Sequence, residues 1–113
     1  LLCSGRVYYD LTAERTRRKD TRTAILRLEQ LYPLDLDAVR AELEPFGDAD
    51  LVWVQDEPAN QGPWTFISDH LGEALGGRSL RRVSRPAAAS PAAGSGKRHK
   101  EEAGELMESA FGR

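Results

Sequence analysis

The stretch VWVQDEPANQGPW, Val52 to Trp64, decides how this chain is read. Four residues with the pattern of a buried strand run into two acids, a proline, two amides, a glycine, a second proline and a tryptophan. Acids and amides at a strand end suit an active-site loop, yet a tight strand-to-helix turn uses the same residues. General acid-base work needs carboxylates on opposite sides of a substrate, whereas neighbours in an extended chain, here Asp56 and Glu57, point apart. They read as solvated loop acids. Gly62 and Pro63 read as helix-start chemistry, with glycine at the N-cap and proline at the first helical position. The stretch is therefore a strand, a proline-held turn and a helix start, and Trp64 is expected to anchor the core.

Outward from it the same unit repeats. Leu1 to Ser4 is a short apolar run closed by Gly5, and Val7 and Leu11 begin a helical spacing through VYYDLTAERTRRK. Thr23 to Leu31 alternates as a second strand and stops at Tyr32 and Pro33. Leu36, Val39, Leu43 and Phe46 then mark one helix face, with Asp35 as N-cap and Gly47 as terminator. DLVWVQ is the third strand; Trp64, Ile67, Leu71 and Leu75 trace a third helix that ends before Gly76 and Gly77. SLRRV, within Arg78 to Arg85, is a weaker fourth strand. Strands alternating with helices predict a three-layer α/β domain, a mainly parallel sheet with helices on both faces. Residues 1–84 form its core, 85–96 a strap too rich in proline, alanine, glycine and serine for a sheet interior, and 97–113 a terminal helix. The basic run Lys97 to Lys100 is poor chemistry for a helix N-terminus, so that helix is expected to begin near Glu101.

A chain of 113 residues supplies one modest core, and 40% hydrophobic residues with a net charge of -2 give no global field for nucleic acid or anionic lipid. The lone Cys3 cannot close an internal disulfide, and no apolar stretch approaches the roughly 20 residues that span a bilayer. A cytoplasmic setting is the expectation. The chain opens without methionine, inside a strand, as the tail of something longer would.

Few residues suggest chemistry. Asn60 and Gln61 lie where open α/β sheets bind ligands, but neither glycine fingerprint of nucleotide binding is present. GSGK, Gly94 to Lys97, is a fragment of one such pattern without its strand. His70, His99 and Cys3 have no metal-ligand spacing, and no serine sits in a nucleophile elbow. Arg78, Arg81, Arg82 and Arg85 fit either a phosphate or acidic partner or a charged sheet edge that discourages pairing.

The succession LLCSGRVYYDL, AILRLEQLYPL, VWVQDEPANQGPW and LRRVSRPAAASPAAGSGKRH resembles the C-terminal domain of the thiamine-diphosphate-dependent component of 2-oxoglutarate dehydrogenase, of the transketolase C-terminal-domain type. Two motifs carry most of the resemblance: the turn with Asp56, Glu57, Pro58, Asn60, Gly62 and Trp64, and the strap with Arg85, Pro86, Ser90, Pro91, Gly94 and Ser95. The resemblance implies a homodimeric oxidoreductase of the tricarboxylic acid cycle. Such enzymes decarboxylate 2-oxoglutarate on thiamine diphosphate with magnesium and pass a succinyl group to lipoyl on a dihydrolipoyl succinyltransferase partner; some bacterial forms act as decarboxylases with other products. The cofactor sites of the family lie in preceding domains, so no catalytic, cofactor-binding or metal residue is carried onto this chain. In some bacterial forms the domain contributes to an acetyl-CoA effector site. The resemblance places Gln30 there; the family's arginine pair falls at Asp37 and Ala38, with Arg40 the nearby substitute.

Three readings follow: a structural and dimer-interface domain that is inactive alone, an allosteric module sensing acyl-CoA or a nucleotide, and a small hydrolase using Asp56 and Glu57.

Overall fold

The computed structural model describes residues 1–29, 31, 34–85 and 96–112. Its longest strand grows directly from the opening stretch. Leu51 to Val54 are buried without alternation, which requires cover on both faces, as in a parallel sheet. Among the described residues four strands form that sheet: β1 (Leu2–Cys3), β2 (Leu26–Arg27), β3 (Leu51–Pro58) and β4 (Leu80–Arg85), all parallel in the order β2-β1-β3-β4.

Helices cover both faces. On one side α1 (Val7–Arg18) and α5 (Gly96–Phe111) bring Val7, Leu11, Leu106, Ala110 and Phe111 against Cys3, Val52, Val54 and Val83. On the other, α2 (Leu36–Leu43), α3 (Trp64–His70) and α4 (Gly72–Leu75) enclose Trp53 with Val39, Leu43, Ile67 and Leu75. This is the three-layer α/β arrangement, and its two cores share the β3 backbone.

Local chemistry explains the ends. Asp35 caps α2 by accepting a 3.0 Å hydrogen bond from the Ala38 backbone, and Glu44–Phe46 adds one 3-10 turn before Gly47. Arg78 reaches back to the carbonyls of Phe46 and Ala49, closing the α2 to β3 loop. The Cys3 thiol is fully buried and its pKa is pushed up to about 11 by burial, so it is a small core group and not a nucleophile at neutral pH.

Four expectations are corrected. The second strand is two residues long instead of nine, because β2 pairs only with β1, itself two residues long. The third helix is broken: α3 ends at His70 and α4 starts at Gly72, whose low helix propensity suits a break, while Ile67, Leu71 and Leu75 still reach the core. The terminal helix begins at Gly96, ahead of the expected Glu101. An unfavourable charge in the first turn costs only about 0.3–1 kcal/mol when exposed, and burial of Leu106, Ala110 and Phe111 anchors the helix from its far end. Finally, the central aromatic is Trp53, fully buried, while Trp64 is half-buried beside the same core with the Arg82 guanidinium 5.8 Å from its ring.

Candidate functional site

Ligands in open parallel sheets bind beyond the carboxyl ends of the strands, and in this domain that edge divides into two unlike halves.

The half at β3 and β4 is filled by the protein itself. Val54 pairs with Val83 but the next partners are Pro58 and Arg85, so Gln55, Asp56 and Glu57 bulge opposite the single Ser84. The bulge turns Gln55 inward, where it is buried. Its Oε1 accepts from the Trp53 indole at 3.0 Å, and its Nε2 donates to the carbonyls of Pro58 and Gln61 at 2.9 Å each and of Glu57 at 3.3 Å. The amide thus satisfies a core indole and shapes the turn at once. Outside, Asp56 pairs with the buried Arg85 at 3.1 Å. Gly62 has φ +69°, and a Cβ there would lie 2.9 Å from the Glu57 Cβ, so both conformation and space call for glycine. Gly62 precedes the helix by two residues, with Pro63 as the N-cap, each one position earlier than the sequence implied. Asp56, Glu57 and Asn60 are exposed and Pro58 is buried. Asp56 and Glu57 do not converge on a common reactive point, since Asp56 is engaged by Arg85 and Glu57 lies against Gly62.

The half at β1 and β2 is open. A cavity of about 720 Å³ is lined by Leu2, Tyr8, Arg27, Glu29, Leu34 and Ala38 among others. Arg27 leaves β2 with its guanidinium 5.4 Å from the Tyr8 ring and 5.2 Å from the Tyr9 ring, and its Nη1 is 3.4 Å from the Tyr9 hydroxyl. Its buried Nε has no hydrogen-bond partner among the described residues. Tyr9 is 60% exposed. A cation held over two tyrosine rings with a spare donor is suited to an anionic or aromatic ligand.

Of the two effector residues the sequence suggested, Arg40 is not among those that line this cavity. Gln30 lies outside the described residues, although its neighbour Glu29 lines the cavity. Arg40 is exposed and pairs with Asp37 at 3.2 Å. Of the strap motif, Arg85 ends β4, while Pro86, Ser90, Pro91, Gly94 and Ser95 lie outside the described residues, as does the proposed phosphate fragment up to Ser95. The arginines of the fourth strand diverge. Arg78 holds a loop, Arg81 approaches the Ser109 carbonyl at 3.5 Å, Arg82 covers Trp64 and Arg85 meets Asp56, so they form no common phosphate site. His70 stacks on Phe66 with ring centroids 4.2 Å apart, a contact within one helix.

Sequence reasoning missed Gln55 and Arg27. A signal for Gln55 existed: it ends an apolar run two residues after a tryptophan, hence on the same strand face. Arg27 had none, because its tyrosine partners come from another element. Among the described residues no three His, Cys, Asp or Glu side chains group as a metal ligand set.

Residues 1–111 match the family described as 2-oxoglutarate dehydrogenase C-terminal. The 2-oxoglutarate dehydrogenase E1 component of Cupriavidus necator is 47% identical over 113 residues, covering 98% of this chain and 12% of that protein. The E1 components of Brucella anthropi and Brucella ovis are 43% identical over 117 residues, covering 99% of this chain and 12% of theirs. The chain spans about 12% of the length of these curated relatives. With nearly its whole length matched, the chain belongs to the 2-oxoglutarate dehydrogenase C-terminal family.

Proposed function

We propose that this chain is the structural and dimer-interface domain of a cytoplasmic 2-oxoglutarate dehydrogenase E1 component. The parent enzyme carries out thiamine-diphosphate-dependent decarboxylation of 2-oxoglutarate with magnesium and passes the succinyl group to lipoyl on a succinyltransferase partner. The cofactor supplies that chemistry. This domain contributes packing surface, and its own side chains neither ligate the metal nor touch the reacting atoms. The observation that carries the reading is the family match over residues 1–111 in a chain that spans about 12% of the length of its E1 relatives. Titration calorimetry of thiamine diphosphate and magnesium into the isolated domain tests it. No binding is expected, and saturable binding at micromolar concentration would overturn the division of labour.

A second reading, an effector module of the same enzyme, is favoured by the 720 Å³ cavity that Glu29 and Arg27 line. A ligand that binds the native state raises stability by RT ln(1 + [L]/Kd). Acetyl-CoA or AMP should then raise the melting temperature of the full-length dimer, and an Arg27→Met variant should lose the rise. A melting temperature unmoved by either ligand at millimolar concentration would remove this reading.

A further inference from the structure

Helix α1 buries Val7 and Leu11, but Tyr9 between them is 60% exposed, the one large hydrophobic side chain left in solvent among the described residues. Its ring meets that of Tyr8 edge-on, with centroids 5.4 Å apart, and the Arg27 guanidinium lies over both. Two elements, α1 and β2, thus bring two tyrosines and an arginine together beside the open cavity that Tyr8 and Arg27 line. We infer that Tyr8, Tyr9 and Arg27 form a docking patch for the part of the parent enzyme outside residues 1–113, with a carboxylate of that part accepting hydrogen bonds from Arg27. The inference rests on the reading of this chain as an interface domain and names the surface it uses.

The unmatched chemistry of Arg27 points to that partner. Its Nη1 makes a long 3.4 Å hydrogen bond to a neutral hydroxyl, and its buried Nε has no acceptor among the described residues. Glu29, Asp35 and Glu42 line the same cavity, yet none of them forms an ion pair with Arg27, and Asp35 is occupied in capping α2. A guanidinium left in this state is complementary to a carboxylate, which takes two parallel N–H bonds. An anion alone would satisfy Arg27 and leave the Tyr9 ring in water. A protein surface supplies the acceptor and the apolar cover together, and tyrosine and arginine are among the residue types that carry most of the energy at interfaces. The chain spans 12% of the length of a relative that it matches, so most of such a polypeptide lies outside it.

The test uses the full-length enzyme that carries this domain, without added ligand. Hydroxyl-radical labelling read by peptide mass spectrometry compares Tyr9 in the native enzyme with the same residue in the denatured chain. A ring desolvated at the centre of an interface should be labelled at least about tenfold less, whereas one that stays 60% exposed should lose no more than about twofold. In an Arg27→Lys variant, a zero-length carbodiimide, which joins amines to carboxylates, should link the introduced amine to an acid outside residues 1–113. The wild-type labelling decides the matter if that variant fails to fold. Free labelling of Tyr9, protection that appears only with acetyl-CoA, or a folded Arg27→Lys enzyme with no cross-link to an outside acid would each overturn the inference. Protection by acetyl-CoA alone would favour the effector reading instead. A parent dimer that needs this domain while its Tyr9 is freely labelled would remove the patch and leave the interface role standing.

Discussion

Gln55 shows how much one side chain can decide. Its amide serves the Trp53 indole on one side and three turn carbonyls on the other, all in a buried setting. Gln55→Leu fills similar space but leaves those groups without it, and should cost about 2–3 kcal/mol in urea denaturation of the domain. A loss below about 0.5 kcal/mol would mean that water replaces the amide. The two tryptophans should differ in the same assay. Trp53→Ala should cost about 3–5 kcal/mol, as expected for a fully buried aromatic, and Trp64→Ala about 1–2 kcal/mol because that ring is half-buried. Equal losses would contradict the exchange of roles between them. Burial explains why sequence favoured the wrong ring. Trp64 starts a clear helical face, whereas Trp53 lies in a run buried on both sides, where periodicity carries no information.

Among the elements, α1 and α5 are joined by charge as well as by packing. Glu14 accepts hydrogen bonds from Arg17 and Arg18, and Arg18 continues to Glu108 on α5 at 2.8 Å while lying 5.3 Å from the Phe111 ring. The hydrogen bonds from Arg17, then Arg18, hold the Glu14 carboxyl at about 2, below its ordinary 4.5. A carboxylate whose pKa falls on folding stabilises the native state above the ordinary value, and that contribution is lost as the pH drops from 4.5 toward 2. Amide exchange in the last turns of α5 should therefore rise over this window in the wild type and respond less in Glu14→Gln. Identical acid profiles would remove Glu14 from the docking of α5. Helix positions were largely legible, since α1 and α2 follow their spacing and Asp35 caps as expected. Strand length was not. The extent of β2 depends on its partner β1, which is not written in the alternation of Thr23 to Leu31.

At the scale of the molecule, the all-parallel sheet with helices on both faces was legible from the repeated strand-helix unit. The two motifs carried the family, and residues 1–111 match it. The division of the carboxyl edge was not legible, because the bulge at Gln55 to Glu57 appears only when β3 meets β4. That division assigns the polar turn to architecture and leaves an open cavity at the β1–β2 end.

The chain spans about 12% of the length of its curated relatives, so its role is best read in the parent enzyme. Sedimentation velocity of that enzyme with residues 1–113 deleted tests the proposed role most directly. The account predicts that the dimer is lost and the truncated chain sediments as monomer or aggregate. A stable dimer sedimenting without this domain would contradict it.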